Sequence, residues 1–229
     1  MASFNGHLEV VLLLLDRGAD LHVKDTKSGA NPLLLASEKG RLEVVLLLLD
    51  RGVDLHVKDT KNGMTPLHWA SQNGHLEVAL LLLDRGADLH VKDTSINVYT
   101  PLLWASQNGH LKVVLLLLDG GADLNVKDTN HGSTPLHLAS YNGRLEFCIL
   151  LLDRGFDLYT TDNNGQTARQ RACLGEGISK ENLKAIQDTI DRWPVMATIA
   201  ALQDLWVFHY LDMSMMDLGE YVGQEKDFL

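Results

Sequence analysis

One stretch of sequence, Gly40 to Gly52 (GRLEVVLLLLDRG), returns with light changes beginning at Gly6, Gly74, Gly109 and Gly143. Successive starts lie 34, 34, 35 and 34 residues apart. A second marker keeps the same step: Asn31-Pro32-Leu33-Leu34, Thr65-Pro66-Leu67-His68, Thr100-Pro101-Leu102-Leu103 and Thr134-Pro135-Leu136-His137. Two markers locked to one period mean stacked supersecondary units, each burying its apolar face only against its neighbours. The prediction is one elongated array followed by a C-terminal extension.

Residues 59 to 90 show what one unit contains. Asp59 to Met64 is turn-rich, and Gly63 supplies a positive φ. Thr65 reads as an N-cap and Pro66 as the first helical residue, where a missing N–H costs nothing. Leu67 and Ala70 are placed on the inward stripe, and Asn73-Gly74 stops the helix after little more than two turns. A second helix is expected from His75 to Asp84, with Val78, Leu81 and Leu82 facing inward, before Arg85-Gly86 ends it. Helices of about ten residues are marginal alone in water, so their order must come from stacking.

Composition narrows the partners. A net charge of −10 argues against a nucleic-acid or anionic-membrane binder, because phosphate contacts need clustered Lys and Arg. Lys24, Lys58, Lys92 and Lys127 each precede an Asp, so the row they form is locally neutralised. Only Cys148 and Cys173 are present, too few for a disulfide framework, and a reducing compartment is the default. The opening residues lack the pattern of a secretory leader. The apolar stretch from Val195 to Leu211 is broken by Gln203, Asp204 and His209 and falls short of the ~20 residues a bilayer requires. The expectation is a soluble cytoplasmic protein, with the nucleus also open.

The Thr-Pro-Leu-His opening, the Asn-Gly-His-Leu-Glu-Val passage and the Leu-Leu-Leu-Asp-Arg-Gly-Ala-Asp exit closely resemble the ankyrin repeat, over residues 2 to about 174. The resemblance implies an all-α solenoid of stacked antiparallel helix pairs, β-hairpin fingers at right angles to them, and a concave groove that binds another protein. It divides the chain into a truncated first repeat (1–24), four full repeats (25–161), a degenerate C-terminal capping repeat (162–193) and a helical extension (194–229). Within the tail, a helix capped by Ser179 is expected to run to Trp193 and stop at Pro194, with further helices over Val195 to Leu211 and Ser214 to Tyr221. The tail, with its Trp193-Pro194 and Leu211-Asp212, has a fainter similarity to extensions of fungal ankyrin proteins.

Three departures from the family pattern stand out. The usual period is about 33 residues, and the surplus here falls in the fingers, twice over between Asp93 and Thr100, where Val98 replaces a glycine. Tyr99 either folds down onto its own repeat or joins Ile96 and Val98 as a partner contact. The first repeat lacks its finger and the start of its first helix, which leaves a bare side: either a fragment boundary or a docking surface. Leu12, Leu46, Leu80, Leu115 and Ile149 occupy a second-helix position where the family usually has Lys or Glu. They are expected to align as a convex apolar stripe that supports self-association, or to be covered by neighbouring side chains.

No constellation points to catalysis. His22, His56 and His90 recur in register, but Asn125 and Tyr159 hold the same place later and no ligand set completes a metal site. Phosphate-binding glycine loops, His-Glu-x-x-His and Gly-x-Ser-x-Gly are all missing. Asp16/Arg17, Asp50/Arg51, Asp84/Arg85 and Asp153/Arg154 read as a solvated charged edge, with Asp119-Gly120 breaking the row. Trp69 and Trp104 serve either the core or the groove. No cofactor is implied. The resemblance places the partner contacts on finger tips and first-helix ends: Lys61, Asn62, Met64, Gln72 and Asn73; Tyr99, Gln107 and Asn108; His131, Ser133, Tyr141 and Asn142. Two further readings stay open, an adaptor whose C-terminal helices recruit a second protein and a module that self-assembles through the leucine stripe.

Overall fold

The structure, a computed structural model, describes residues 1–26 and 28–172, together with 181, 184–185, 187–188 and 191–192. The chain divides into two units, Met1–Gln187 and Asp188–Leu229. The described helices come in pairs: α1 (Ala2–Asn5) with α2 (Leu8–Asp16), α3 (Pro32–Glu38) with α4 (Leu42–Asp50), and α5 (Pro66–Asn73) with α6 (Leu76–Asp84). Then come α7 (Pro101–Asn108) with α8 (Leu111–Asp119), α9 (Pro135–Tyr141) with α10 (Leu145–Asp153), and α11 (Ala168–Ala172). First helices stack on first helices from α1 through α11, and second helices on second helices from α2 through α8. This is an all-α repeat solenoid. The described residues 181, 184–185, 187–188 and 191–192 are helical. The cap at Ser179, the stop at Pro194 and the helices expected over 195–211 and 214–221 lie outside the described residues.

The first helices α3, α5, α7 and α9 begin as the sequence predicts, with Asn31, Thr65, Thr100 and Thr134 as side-chain N-caps and proline in the first turn. The second helix starts one residue later than expected. His75 is its N-cap, and its ring Nε2 reaches back 2.9 Å to the Glu38 carbonyl of the preceding repeat. His110 does the same to Gln72 at 2.9 Å, and Arg41 donates to the Phe4 carbonyl at 3.2 Å. Glycine is required beneath these side chains. Gly40 has φ +66° and a Cβ there would lie 2.5 Å from the His75 ring.

The core runs along the stack rather than within any one repeat. Val44, Val45 and Leu48, Val78, Ala79 and Leu82, and Val113, Val114 and Leu117 are essentially solvent-free. Ala79 is thus a core residue the sequence reading missed, and Leu81, expected inward, is only half-buried. Equivalent positions carry nearly the same residue in each repeat, Val44, Val78 and Val113 or Leu48, Leu82 and Leu117, so one packing solution recurs along the stack. At the open end of the stack Val10 and Leu14 are exposed, whereas their counterparts Val44 and Leu48 are buried.

The expected β-hairpin fingers are turns instead. A backbone hydrogen bond closes the base of each: Asp25 N to Ala30 O, Asp59 N to Met64 O, Asp93 N to Tyr99 O, Asp128 N to Ser133 O and Asp162 N to Gln166 O. The one strand-type pairing among the described residues is an isolated bridge between Thr161 and Thr167. Among the described residues, no helix is long and apolar enough to cross a membrane.

Candidate protein-binding surface

The fingers are organised by an aspartate at the start of each, a role the sequence reading did not assign. Asp59 is buried, and its carboxylate accepts the backbone N–H groups of Lys61 (3.0 Å) and Asn62 (2.6 Å) and the indole N–H of Trp69 (3.1 Å). Asp93 likewise accepts from the N–H groups of Ser95 and Tyr99, and from the Trp104 indole at 2.8 Å. Asp128 holds the N–H groups of His131 and Ser133. Buried carboxylates persist only when so satisfied. The sequence signal was available, since an aspartate recurs at this position in every finger. Trp69 and Trp104 are half-buried, and their indole bonds lock each finger to its own first helix.

Neighbouring fingers are also tied laterally. The N–H of Thr60 donates to Ser28 O, that of Thr94 to Asn62 O, that of Thr129 to Asn97 O, and that of Asn163 to His131 O, at 2.7–3.1 Å. The tips therefore form a connected row, not independent loops. Lys61 stands exposed on this row, Asn62 and His131 are half-exposed, and Ile96 is 87 % exposed. On the first-helix ends Asn73 and Asn142 are exposed, and Gln72, Gln107, Asn108 and Tyr141 are half-buried. The amides of Asn73, Asn108 and Asn142 each donate to the carbonyl four residues earlier in their own helix, at 2.8–2.9 Å. Gln72 Oε1 and Gln107 Oε1 are buried without a hydrogen-bond partner. The Arg171 guanidinium stacks over the Tyr141 ring at 5.3 Å.

Three of the expected contacts are overturned. Met64, Tyr99 and Ser133 are buried and present no side chain to a partner. All three directly precede an N-cap threonine, the position whose side chain packs back on the helix it introduces. Tyr99 is the clearest case: it folds down, meets Trp104 edge-on with ring centroids 4.9 Å apart, and joins Leu103 and Leu138. Burial raises its hydroxyl pKa to about 12.

Two first helices carry a histidine that links repeats. His68 Nδ1 accepts from the Thr65 hydroxyl and N–H, while Nε2 lies 3.1 Å from the Tyr99 carbonyl of the next repeat. His137 repeats this with Thr134 and, at 3.0 Å, with Gln166 O. An acceptor opposite Nε2 and donors opposite Nδ1 require the neutral Nε2–H tautomer. Burial accordingly lowers the pKa of His68 to about 4, and lowers that of His137. Cys148 is also buried, and its thiol is pushed up to about 11, well away from a reactive thiolate. No group of His, Cys, Asp or Glu among the described residues is arranged to hold a metal. His22, His56 and His90 are exposed; their N–H groups bond the aspartate two residues earlier.

The solenoid, its capped helices and its laterally tied fingers define a repeat protein of the ankyrin type. A family profile described as ankyrin repeats (3 copies) matches residues 1–93 and 92–162, and the chain belongs to that family. No curated protein matches the chain at a significant level. Members of the family are generally protein-interaction modules.

Proposed function

We propose that this protein is a non-catalytic scaffold that grips another protein between its finger tips and the ends of its first helices. The observation that carries the reading is the connected row of tips. Backbone bonds between fingers and carboxylate bonds within them hold Lys61, Ile96 and His131 side by side. A surface ordered before contact loses little conformational entropy on binding. The contact set is Lys61, Asn62, Gln72, Asn73, Gln107, Asn108, His131, Tyr141 and Asn142 from the sequence reading, with Ile96 added and Met64, Tyr99 and Ser133 removed. Ile96 is taken as the anchor, because it is the large apolar side chain that stands exposed on that tied row of tips.

A photo-crosslinking residue at position 73 or 108, compared with one at position 43 on the opposite face, tests this reading in cells. Adducts should form from 73 and 108 and disappear when Ile96→Asp and Lys61→Glu are combined. Adducts from 43 alone would sink it.

A further inference from the structure

The convex face carries a pattern that the groove does not use. In each second helix a charged residue, an apolar residue and an aspartate stand at i, i+3 and i+7, and so share one face. They are Glu9-Leu12-Asp16, Glu43-Leu46-Asp50, Glu77-Leu80-Asp84, Lys112-Leu115-Asp119 and Glu146-Ile149-Asp153. The apolar members are open to solvent, with Leu12 at 40 %, Leu46 at 40 %, Leu80 at 45 % and Ile149 at 36 %, and Leu115 half-buried. Neighbouring side chains therefore cover the stripe only in part.

The two flanking rows differ in charge balance. On the aspartate side, Arg51 pairs with Asp16 (3.1 Å), Arg85 with Asp50 (2.9 Å) and Arg154 with Asp119 (2.7 Å), each reaching back one repeat. On the other side Glu9, Glu43, Glu77 and Glu146 are exposed and make no ion pair among the described residues. The stripe is thus apolar, edged on one side by uncompensated carboxylates and on the other by ion pairs. A second copy would bring the same carboxylates and the same net charge of −10, and an anionic membrane would also be repelled.

We propose that this face docks a cationic amphipathic α-helix lying along the stack, with one apolar residue per heptad on the leucines and Lys or Arg toward the glutamates. The spacing supports a helix in particular. Seven helical residues rise about 10.5 Å, against about 8–10 Å between packed helices of successive repeats. An apolar residue at every seventh position therefore meets one leucine per repeat over several repeats. Lys112 interrupts the acidic row in the fourth repeat, so an acidic residue of the partner is favoured opposite it. The site is independent of the groove, and the two together would make the protein bivalent.

The test uses the full chain and a labelled synthetic helix of about four heptads, with one Leu per heptad and flanking Lys, followed by fluorescence anisotropy. Saturable binding is expected. It should weaken at least about tenfold when the leucines are moved off the seven-residue spacing, when the lysines become Glu, or when the protein carries Leu46→Ser with Leu80→Ser. Lys112→Glu should tighten the all-lysine probe by about two- to fivefold, and because it touches no buried group it reports even if the leucine variants fold poorly. Ile96→Asp should change nothing. Equal binding of all peptides, insensitivity to the leucine and Lys112 changes, or loss through Ile96→Asp would each overturn the proposal. So would a dimer of the free protein, seen in sedimentation, that the leucine variants dissociate.

Discussion

The third and fourth repeats, residues 59–92 and 93–127, are copies of one plan that hold themselves together by different means. The third opens with His68, which caps its own helix reciprocally and bonds the carbonyl of Tyr99 ahead of it. The fourth has Leu103 at that place, fully buried against Tyr99 and Leu138. The finger of the third turns through Gly63 at φ +64°, whereas the longer finger of the fourth forces Val98 to φ 55°, the one non-glycine residue with positive φ among the described residues. Arg85 of the third ties it to Asp50 behind, but Gly120 of the fourth offers no side chain to Asp84. One junction is directional and polar, the next apolar and shape-dependent. A stack needs both register and cohesion, and neighbouring copies supply them in turn.

Exchanges between the two repeats break that comparison with graded effects. The largest belongs to Leu103→Ala, which should destabilise the protein by about 2–5 kcal/mol through a cavity in a fully packed site. Because repeats stand only through their neighbours, the loss should appear in denaturant melts as a less cooperative transition, and it should not depend on pH.

The histidine junction should show the opposite signature. An unfolded chain protonates His68 near 6.5, but the folded one only near 4. Between these values the unfolded state binds more protons. The histidine's contribution is therefore whole above about 6.5 and is lost as pH falls toward 4, by about 3 kcal/mol in all. Other carboxylates titrate in the same range, so the measurement is the difference between wild type and His68→Leu across pH 7 to 4. A difference that stays flat would show that the two junctions are alike.

Val98→Gly gives the fourth finger the residue its siblings carry. Relief of a left-handed β-branched residue, about 1–2 kcal/mol, offset by the entropy of glycine, about 0.5–1 kcal/mol, leaves a gain of about 0–1.5 kcal/mol in thermal melts. Gly120→Arg should have the smallest effect. Its backbone is already right-handed helical and a Cβ there meets only ordinary contacts at 3.4 Å. The new side chain completes the row to Asp84 for no more than about 1 kcal/mol, and that gain should vanish in high salt.

The fold was legible because the signals were local and repeated. The cap at Thr65 with Pro66 behind it, the stop at Gly74 and the leucine register of each second helix all follow from residues within a few positions of one another. The binding surface was less legible. Met64, Tyr99 and Ser133 sit in turns, where exposure is the ordinary expectation, yet each is buried because the following N-cap turns its side chain onto the stack. Asp59 and Asp93 looked like one half of a neutral surface dipeptide, yet both are buried, and among their partners are indoles ten and eleven residues away.

What this chain's sequence decided alone is the architecture: a period near thirty-four residues, repeated with matching caps and breakers, admits only short helix pairs ordered by contact with their copies. What the tertiary structure decided is which groups of each copy meet water and which meet the next copy. Arg51 finds Asp16 and not its neighbour Asp50, and His75 finds Glu38 O, because stacking brings residues about one repeat apart closer than chain neighbours that point to different faces. Distance in space, not along the chain, sets burial and pairing.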